Sequence, residues 1–303
     1  MGKIAFLFPG QGAQQVGMCR EICEALPAAR QRMEQANDVL GYDLAQVCFE
    51  GPEERLNSTV VSQPALYVSS FLALEKLKEE SPDLLDDCQA AAGLSLGEYT
   101  AIAFAGGFSF EDGLKLVQKR GEAMQAAADE TASGMVSVLG LEREQVAAVC
   151  DAARQEGEVL QIANLLCPGN TAVSGHQGSC QQVAAVAEAE GAIKSIPLAV
   201  AGAFHTSIME SAVAKLESAL AAVDIQPSRI PVYSNVDAQP HTEPEQFREL
   251  LVRQVCSPVL WHDSMQQLLD DGFDEFFEVG YGRVLRGLLK RIARRTPCHG
   301  VLE

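Results

Sequence analysis

Residues 90–99 read Ala-Ala-Ala-Gly-Leu-Ser-Leu-Gly-Glu-Tyr. An apolar run ends at Gly93, Ser95 lies between Gly93 and Gly97, and a segment of good helix formers follows from residue 98 to 105. Gly-x-Ser-x-Gly between a strand and a helix is typical of a nucleophile elbow, where glycines permit a sharp turn that exposes the serine hydroxyl. The N-terminus of the helix would favour negative charge that develops beside Ser95. The alternative is a tight turn with an inert serine.

Strands and helices alternate on both sides of this turn. Lys3–Phe8 is expected to be the first strand, and a glycine-rich turn, Gly-Gln-Gly-Ala-Gln at residues 10–14, follows it. A dinucleotide-binding loop would need a third glycine where Gln15 stands. The alternation predicts a largely parallel sheet that is covered by helices on both faces.

The middle of the chain has a different pattern. Short strand-like segments are separated by helical ones, with strands near 135–139, 159–163, 171–174 and 192–196 and helices near 142–155 and 178–189. Two strand pairs separated by helices over so short a length fit a ferredoxin-like βαββαβ unit. We therefore predict a small α+β subdomain at residues 131–199, inserted into a large domain formed by residues 1–130 and 200–303.

Composition excludes several functional classes. The chain has 303 residues and a net charge of −18, which disfavours nucleic acid as a partner. Its apolar runs are far shorter than the ~20 residues of a membrane span, and the N-terminal run is too short for a signal peptide, so we expect a cytoplasmic protein. The nine cysteines include no Cys-x-x-Cys pair, so we expect neither a disulfide framework nor a zinc site.

Positive charge is concentrated near the end of the chain. The first 280 residues carry 17 basic and 40 acidic side chains, whereas the last 23 carry six basic and one acidic. The basic side chains are Arg283, Arg286, Lys290, Arg291, Arg294 and Arg295. They could receive an acidic protein or phosphate groups, or they could form a solvated helix face that suits the helix dipole.

A nucleophilic serine needs a base, and two histidines lie in suitable loops. His205 ends a small-residue loop before a helix, and His176 stands in a similar Ser-Gly-His-Gln turn. Pattern alone does not choose between them. Arg120, on the helix after the elbow, could hold a substrate carboxylate through two parallel hydrogen bonds, or could form a surface ion pair.

Ordered motifs along the whole chain resemble one protein family. They are Phe8-Pro9-Gly10-Gln11-Gly12-Ala13-Gln14, Gln63-Pro64-Ala65-Leu66, the elbow, Arg120-Gly121 with Met124-Gln125, Asn164 with Pro168-Gly169, Phe204-His205 with Met209, Ser234-Asn235, and Gln254-Val255 with Pro258-Val259 and Trp261. In these motifs the chain resembles the malonyl-CoA:acyl-carrier-protein transacylases of fatty acid synthesis and the related acyltransferase domains of polyketide synthases. The resemblance implies a hydrolase-like, doubly wound α/β fold, with the active site in a gorge between the large domain and the small subdomain.

The resemblance also implies a role for each site residue. Ser95 would be the nucleophile and His205 its base, a Ser-His dyad with ping-pong kinetics. The N–H groups of Gln11 and Leu96 would form the oxyanion hole, and Arg120 would hold the malonyl carboxylate. The main-chain carbonyl of Gln254 would orient His205 in place of an acid. Further site residues would be Gln63, Leu94, Asn164 and Phe204.

Substrate, partner and selectivity follow from the same resemblance. The substrate would be malonyl-CoA and the acceptor the phosphopantetheine thiol of acyl carrier protein, with no bound cofactor or metal. Phe204 beside His205 resembles the version of the motif that selects malonyl over methylmalonyl groups. Family members usually have histidine where Leu94 stands, asparagine where Leu166 stands and glutamine where Asn170 stands. The contacts that those side chains make in the family would therefore differ here. The basic residues at 283–295 are the candidate carrier-protein surface.

Two other functions fit the residues less well. One is a serine acyl hydrolase that clears acyl groups from carrier proteins, although such relatives tend to lack the arginine that stands at position 120. The other is a non-catalytic module that binds carrier proteins, which the intact set of site residues argues against. The sequence leaves open fatty acid or polyketide synthesis, and we expect a monomer.

Overall fold

The computed structural model describes residues 2–302. Up to residue 130 its elements are β1 (Lys3–Phe8), α1 (Arg20–Ala25), α2 (Pro27–Leu40), α3 (Leu44–Glu50), α4 (Glu53–Asn57), α5 (Thr59–Glu80), α6 (Pro82–Asp87), β2 (Cys88–Gly93), α7 (Leu96–Phe104) and α8 (Phe110–Glu130). The remainder contains β3 (Ser133–Leu139), α9 (Arg143–Ala153), β4 (Leu160–Cys167), β5 (Asn170–His176), α10 (Gln177–Ala189), β6 (Lys194–Pro197), α11 (Glu210–Ala221), β7 (Val232–Tyr233), β8 (Pro240–His241), α12 (Pro244–Gln254), α13 (Trp261–Asp270), β9 (Phe273–Tyr281), α14 (Val284–Ile292) and β10 (Cys298–Leu302).

The larger sheet has the strand order β10-β9-β1-β2-β7-β8. Its neighbouring strands are parallel except for the short β7–β8 pair. Side chains of β1 alternate between two core clusters, Phe6 and Phe8 on one face and Ala5 and Leu7 on the other. Strands that are buried on both faces in this way are typical of a parallel sheet between helical layers. The predicted α/β class is therefore confirmed.

The smaller sheet has the order β4-β5-β3-β6, and all its pairs are antiparallel. Helices α9 and α10 pack on it through a separate apolar cluster that includes Val138, Val149 and Val183. This is the strand order of a ferredoxin-like βαββαβ unit, as the sequence pattern predicts. The domain boundaries at 1–130, 131–199 and 200–303 stay predictions.

Several elements differ from the sequence-based expectation. The short helices α3, α4 and α6 and the edge strands β8 and β10 were not predicted, because they are too brief to show a clear period. Proline in the first turn predicts a helix that begins near Ser62, but α5 begins at Thr59, so Pro64 lies inside the helix. The sequence at residues 232–236 predicts a strand of that length, but β7 contains only Val232–Tyr233, because the chain leaves the sheet at Ser234 and turns towards the elbow.

Two features of residues 2–302 bear on membrane and metal binding. None of the helices in this part of the chain has both the length and the apolar character needed to cross a membrane. Across the same residues, His, Cys, Asp and Glu side chains do not gather in threes as a candidate metal site. The nine cysteines are free thiols.

Candidate active site

The turn between β2 and α7 holds Ser95 in a strained conformation. Its φ is 52° and its ψ is −100°, in a region that residues with a Cβ rarely adopt. A Cβ on Gly93 would lie 1.9 Å from the carbonyl carbon of Gly97, and one on Gly97 would lie 2.1 Å from the carbonyl oxygen of Phe8. Only glycine at both positions lets β1, β2 and α7 approach this closely.

His205 lies within hydrogen-bonding distance of the Ser95 hydroxyl. Its Nε2 is 2.8 Å from Ser95 Oγ, and its Nδ1 is 2.9 Å from the main-chain oxygen of Gln254. Because a carbonyl oxygen only accepts, Nδ1 is assigned the proton and Nε2 is left to accept the serine proton. Burial, together with the positive charge of Arg120, lowers the pKa of His205 to about 4. The imidazole is therefore neutral at pH 7, as a general base must be.

The alternative histidine lies elsewhere. His176 is at the end of β5 in the smaller sheet, where its Nδ1 accepts a 2.9 Å hydrogen bond from the N–H of Val159. His205, by contrast, adopts a φ of 63° in the loop before α11, which brings its ring to the elbow. The structure thus brings His205, and not His176, to the Ser95 hydroxyl.

Arg120 is buried directly against the serine. Its Nη2 donates to Ser95 Oγ at 2.9 Å and to Gln254 Oε1 at 3.0 Å, and its Nη1 donates to Gln63 Oε1 at 2.8 Å. The guanidinium carbon is 5.3 Å from the centre of the Tyr99 ring. The side chain is only 1% exposed. The guanidinium therefore contacts the serine hydroxyl directly.

Gln254 connects the other groups of the site. Its Nε2 donates to Glu98 Oε2 at 2.7 Å and to the main-chain oxygen of Ser95 at 3.0 Å, while its own carbonyl accepts from His205. Glu98 is also buried and accepts from the N–H of Asn235 at 3.1 Å. Burial raises the pKa of Glu98 to about 7.

Asn235 anchors the elbow from the end of β7. Its Oδ1 accepts from the N–H of Ser95 at 2.6 Å, and its Nδ2 donates to the carbonyl of Gly93 at 2.8 Å. Sequence reasoning found Ser234-Asn235 only as a motif and assigned it no role. The available signal was a polar pair directly after an apolar strand, at the edge where parallel strands place functional residues.

The two N–H groups expected in an oxyanion hole both belong to segments at the elbow. Leu96 is the first residue of α7, so its N–H has no partner within the helix. The turn that carries Gln11 packs on the elbow so tightly that a Cβ on Gly10 would lie 2.2 Å from the carbonyl oxygen of Leu94. This arrangement brings the end of β1 beside the end of β2.

Known proteins share this architecture. A family model described as "Acyl transferase domain" matches residues 5–295. The chain belongs to this acyl transferase family. The family resemblance inferred from the motifs is therefore confirmed.

Individual members of the acyl transferase family match over nearly the full chain. A "Malonyl CoA-acyl carrier protein transacylase" of Bacillus subtilis is 41% identical over 305 residues, covering 100% of this chain and 94% of the relative. The crystal structure of an acyl-carrier-protein-S-malonyltransferase from Bartonella henselae has a TM-score of 0.95 at 34% identity and covers 99% of this chain and 96% of that one. A type II PKS acyl-carrier protein in complex with its malonyl-transacylase supplies a further match, with a TM-score of 0.93, 34% identity, and coverage of 98% of this chain and 94% of that one.

The remaining predicted residues of this acyl transferase lie in three different segments. Phe204 is buried immediately before His205. Leu94 is buried in the core cluster of the β1 face that also holds Leu7, and its N–H donates to the carbonyl of Phe8. Asn164 is partly buried on β4, where its main chain forms a bridge with Val259.

Proposed function

We propose that this acyl transferase moves a malonyl group from CoA to the phosphopantetheine thiol of an acyl carrier protein. The observation that carries the proposal is a single hydroxyl with two partners: Ser95 Oγ lies 2.8 Å from the base, His205 Nε2, and 2.9 Å from a buried cation, Arg120 Nη2. The base activates the serine, and the cation supplies a binding site for an acyl group that ends in a carboxylate.

The first half-reaction acylates the serine. Ser95 Oγ attacks the thioester carbonyl carbon of malonyl-CoA while His205 Nε2 takes the hydroxyl proton. Negative charge on the former carbonyl oxygen is stabilised by the N–H groups of Gln11 and Leu96, each donor contributing ~3 kcal/mol. The carbon–sulfur bond then breaks, the CoA thiolate receives the proton from His205, and malonyl-Ser95 remains. The Gln254 carbonyl accepts from Nδ1 throughout and stabilises the transient imidazolium.

The second half-reaction uses the same groups in reverse. The carrier-protein thiol gives its proton to His205 Nε2, and its sulfur attacks the ester carbonyl of malonyl-Ser95. The ester bond breaks, and Ser95 Oγ recovers the proton from His205. An acid behind the histidine is not required because a thioester is already an activated acyl donor. For the same reason we propose that no bound cofactor or metal takes part.

Acyl selectivity is proposed to come from Arg120 and Phe204. The three hydrogen-bond acceptors around Arg120 are neutral oxygens of Ser95, Gln63 and Gln254. A malonyl carboxylate would replace some of these contacts with a hydrogen-bonded ion pair in which both partners are charged, which an acetyl group cannot do. Phe204, buried beside the base, would occupy the space that an α-methyl group needs. A higher kcat/KM for methylmalonyl-CoA than for malonyl-CoA would contradict this second assignment.

The carrier protein is proposed to dock on the basic residues around α14. Lys290, Arg294 and Arg295 are exposed, as is Arg283, whereas Arg286 Nε lies 3.7 Å from the buried carboxylate of Glu278. Arg291 donates to the carbonyl of Pro168 at 3.1 Å, which links α14 to the smaller sheet. Because the chain as a whole carries a charge of −18, an acidic carrier needs a local positive surface to approach.

One assay separates the candidate functions. Incubation with radiolabelled malonyl-CoA and holo carrier protein should give labelled carrier protein. Labelled free malonate would instead indicate a hydrolase, and unreacted malonyl-CoA a non-catalytic module. Lys290→Glu with Arg294→Glu should raise KM for the carrier protein without changing acylation of Ser95 by malonyl-CoA. Lys115→Glu, an exposed site on α8, is the matched control.

Every group in this mechanism belongs to one chain, so we propose that a monomer is sufficient for activity. A cytoplasmic location stays a prediction from the sequence. Whether the malonyl group enters fatty acid or polyketide synthesis depends on the carrier protein that the enzyme meets.

A further inference from the structure

Glu98 is a buried acid at the active site that neither transfers a proton nor contacts the substrate in the transfer reaction. It lies in the first turn of α7, three residues after the nucleophile, and is 2% exposed. Its Oε2 accepts from Gln254 Nε2 at 2.7 Å and from the main-chain N–H of Asn235 at 3.1 Å. A carboxyl group kept from water needs a reason, because burial of an unpaired charge is costly.

The ionised carboxylate of Glu98 fixes the orientation of the Gln254 amide. A carboxylate only accepts hydrogen bonds, so the NH2 group of Gln254 must face Glu98. The amide oxygen is then forced to the opposite side, where it accepts from Arg120 Nη2 at 3.0 Å. Because the guanidinium only donates, this is the one orientation that satisfies both neighbours. The Gln254 amide therefore connects the buried carboxylate of Glu98 to the buried guanidinium of Arg120.

The charge around Arg120 also depends on Glu98. The direct acceptors of Arg120 are all neutral, and Glu98 is the carboxylate whose negative charge acts on it. When a substrate carboxylate reaches Arg120, the guanidinium faces two negative groups. The first is Glu98 behind the amide, and the second is the acyl group in front of it. The two like charges repel, which weakens the hold on the substrate.

We propose that Glu98 is a positioning residue that acts through Gln254 to balance the charge of Arg120 and thereby to moderate its affinity for a substrate carboxylate. The inference rests on the proposed function, since it concerns the same carboxylate site. Because Glu98 moderates the affinity of Arg120, the site would prefer a malonyl group without binding it too tightly to release it. The malonyl group must be given up to the carrier protein within the same catalytic cycle.

The test measures equilibrium binding in an enzyme that cannot react. In the Ser95→Ala background, dissociation constants for malonyl-CoA and acetyl-CoA are measured by calorimetry at pH 8.5, with and without Glu98→Gln. Glutamine keeps an oxygen for the Asn235 and Gln254 donors and removes only the charge. For like charges about 10 Å apart at an effective dielectric constant of about 20, malonyl-CoA should bind on the order of ten-fold more tightly. Acetyl-CoA should change less than about two-fold.

Two matched variants separate charge from packing. Glu98→Asp in the same background retains the charge, so malonyl-CoA affinity should stay close to that of the parent. Glu79→Gln, an exposed site on α5, should change neither ligand. Unchanged or weaker malonyl-CoA binding by the Glu98→Gln variant would overturn the inference. Equal shifts for both CoA esters would do the same, because they would indicate a general packing effect.

A second measurement needs no change at position 98. Because burial raises the pKa of Glu98 to about 7, the Ser95→Ala protein should bind malonyl-CoA more tightly at pH 6 than at pH 8.5, relative to acetyl-CoA. The charged or titratable groups that act on Glu98 or its partner are Arg120, Asp237 and Tyr99. Acetyl-CoA corrects for the phosphates of CoA. A ratio that does not change with pH would count against Glu98. Failure of Ser95→Ala to bind malonyl-CoA, with no transfer by the unaltered enzyme, would instead refute the proposed function.

Discussion

Asn235→Ala should loosen the elbow and reveal how much the strained serine depends on a residue 140 positions away. The Asn235 side chain is fully buried and bonds both sides of the turn, at Ser95 N–H and at the Gly93 carbonyl. Alanine removes both partners and offers no replacement. The φ of 52° at Ser95 is then supported by the glycine packing around it and by the hydrogen bond from Gln254 Nε2 to the Ser95 carbonyl.

The magnitude follows from the groups left without partners. A buried N–H or C=O that loses its hydrogen bond costs about 1–3 kcal/mol, so two of them should lower the free energy of unfolding by about 2–6 kcal/mol. Strain of about 1–3 kcal/mol at the serine can also be released once the anchor is gone, which would move Oγ away from His205 Nε2. We therefore expect kcat for malonyl transfer to fall on the order of a hundred-fold or more, since small misplacements of a nucleophile are costly.

Urea unfolding and steady-state kinetics on the same preparation test this prediction. Asn57→Ala is the control, because that side chain is exposed and accepts one hydrogen bond from Gln14. It should change stability by less than about 0.5 kcal/mol. If Asn235→Ala unfolds within about 1 kcal/mol of the unaltered protein and keeps its kcat, the anchoring role is wrong.

Three further outcomes are expected. Gly97→Ala should prevent stable folding or lower the urea midpoint strongly, because its Cβ would lie 2.1 Å from the Phe8 carbonyl oxygen. Gly287→Ala on α14 is the control: its Cβ would meet nothing within 4 Å, so the change should be neutral or stabilising by up to about 1 kcal/mol. Arg120→Met should lower kcat/KM for malonyl-CoA by two to three orders of magnitude, which corresponds to about 3–4 kcal/mol of lost transition-state stabilisation. The kcat/KM for acetyl-CoA should change little, since only malonyl-CoA loses a buried ion pair. Equal losses for both substrates would contradict the carboxylate assignment. The His205 ring should titrate with a midpoint near pH 4 in an NMR experiment and be neutral at pH 7, because burial and Arg120 lower its pKa to about 4; a transition near pH 6.5 would contradict it.

The elbow could be predicted from sequence because its determinants are local. Gly93, Ser95 and Gly97 lie within five residues, and the steric need for glycine acts across one turn of chain. The alternating strands and the ferredoxin-like segment were likewise predictable, since strand and helix periods are short-range patterns. Short helices and two-residue strands such as β7 carry too few residues to show a period.

The partners of the elbow could not be derived from local pattern. His205 and His176 stand in similar loops, and only the fold brings one of them to Ser95. Asn235 follows a strand that was expected to continue to residue 236, and its role depends on leaving the sheet early. Glu98 looked like an ordinary residue in the first turn of a helix, where acids are favoured for their effect on the helix dipole. Its burial is set by segments more than a hundred positions away.

Burial of Arg120 lowers the stability of the folded protein but provides a binding site for a substrate carboxylate. A guanidinium with neutral direct partners is an expensive group to keep in a protein interior, and replacing buried charged groups with apolar ones is often neutral or stabilising. The site therefore carries a cost in the free enzyme that a substrate carboxylate relieves on binding. The same cost explains why the amides of Gln63 and Gln254 both direct an oxygen at Arg120. Selectivity for a dicarboxylic acyl group is then a consequence of burying the Arg120 guanidinium among neutral hydrogen-bond acceptors.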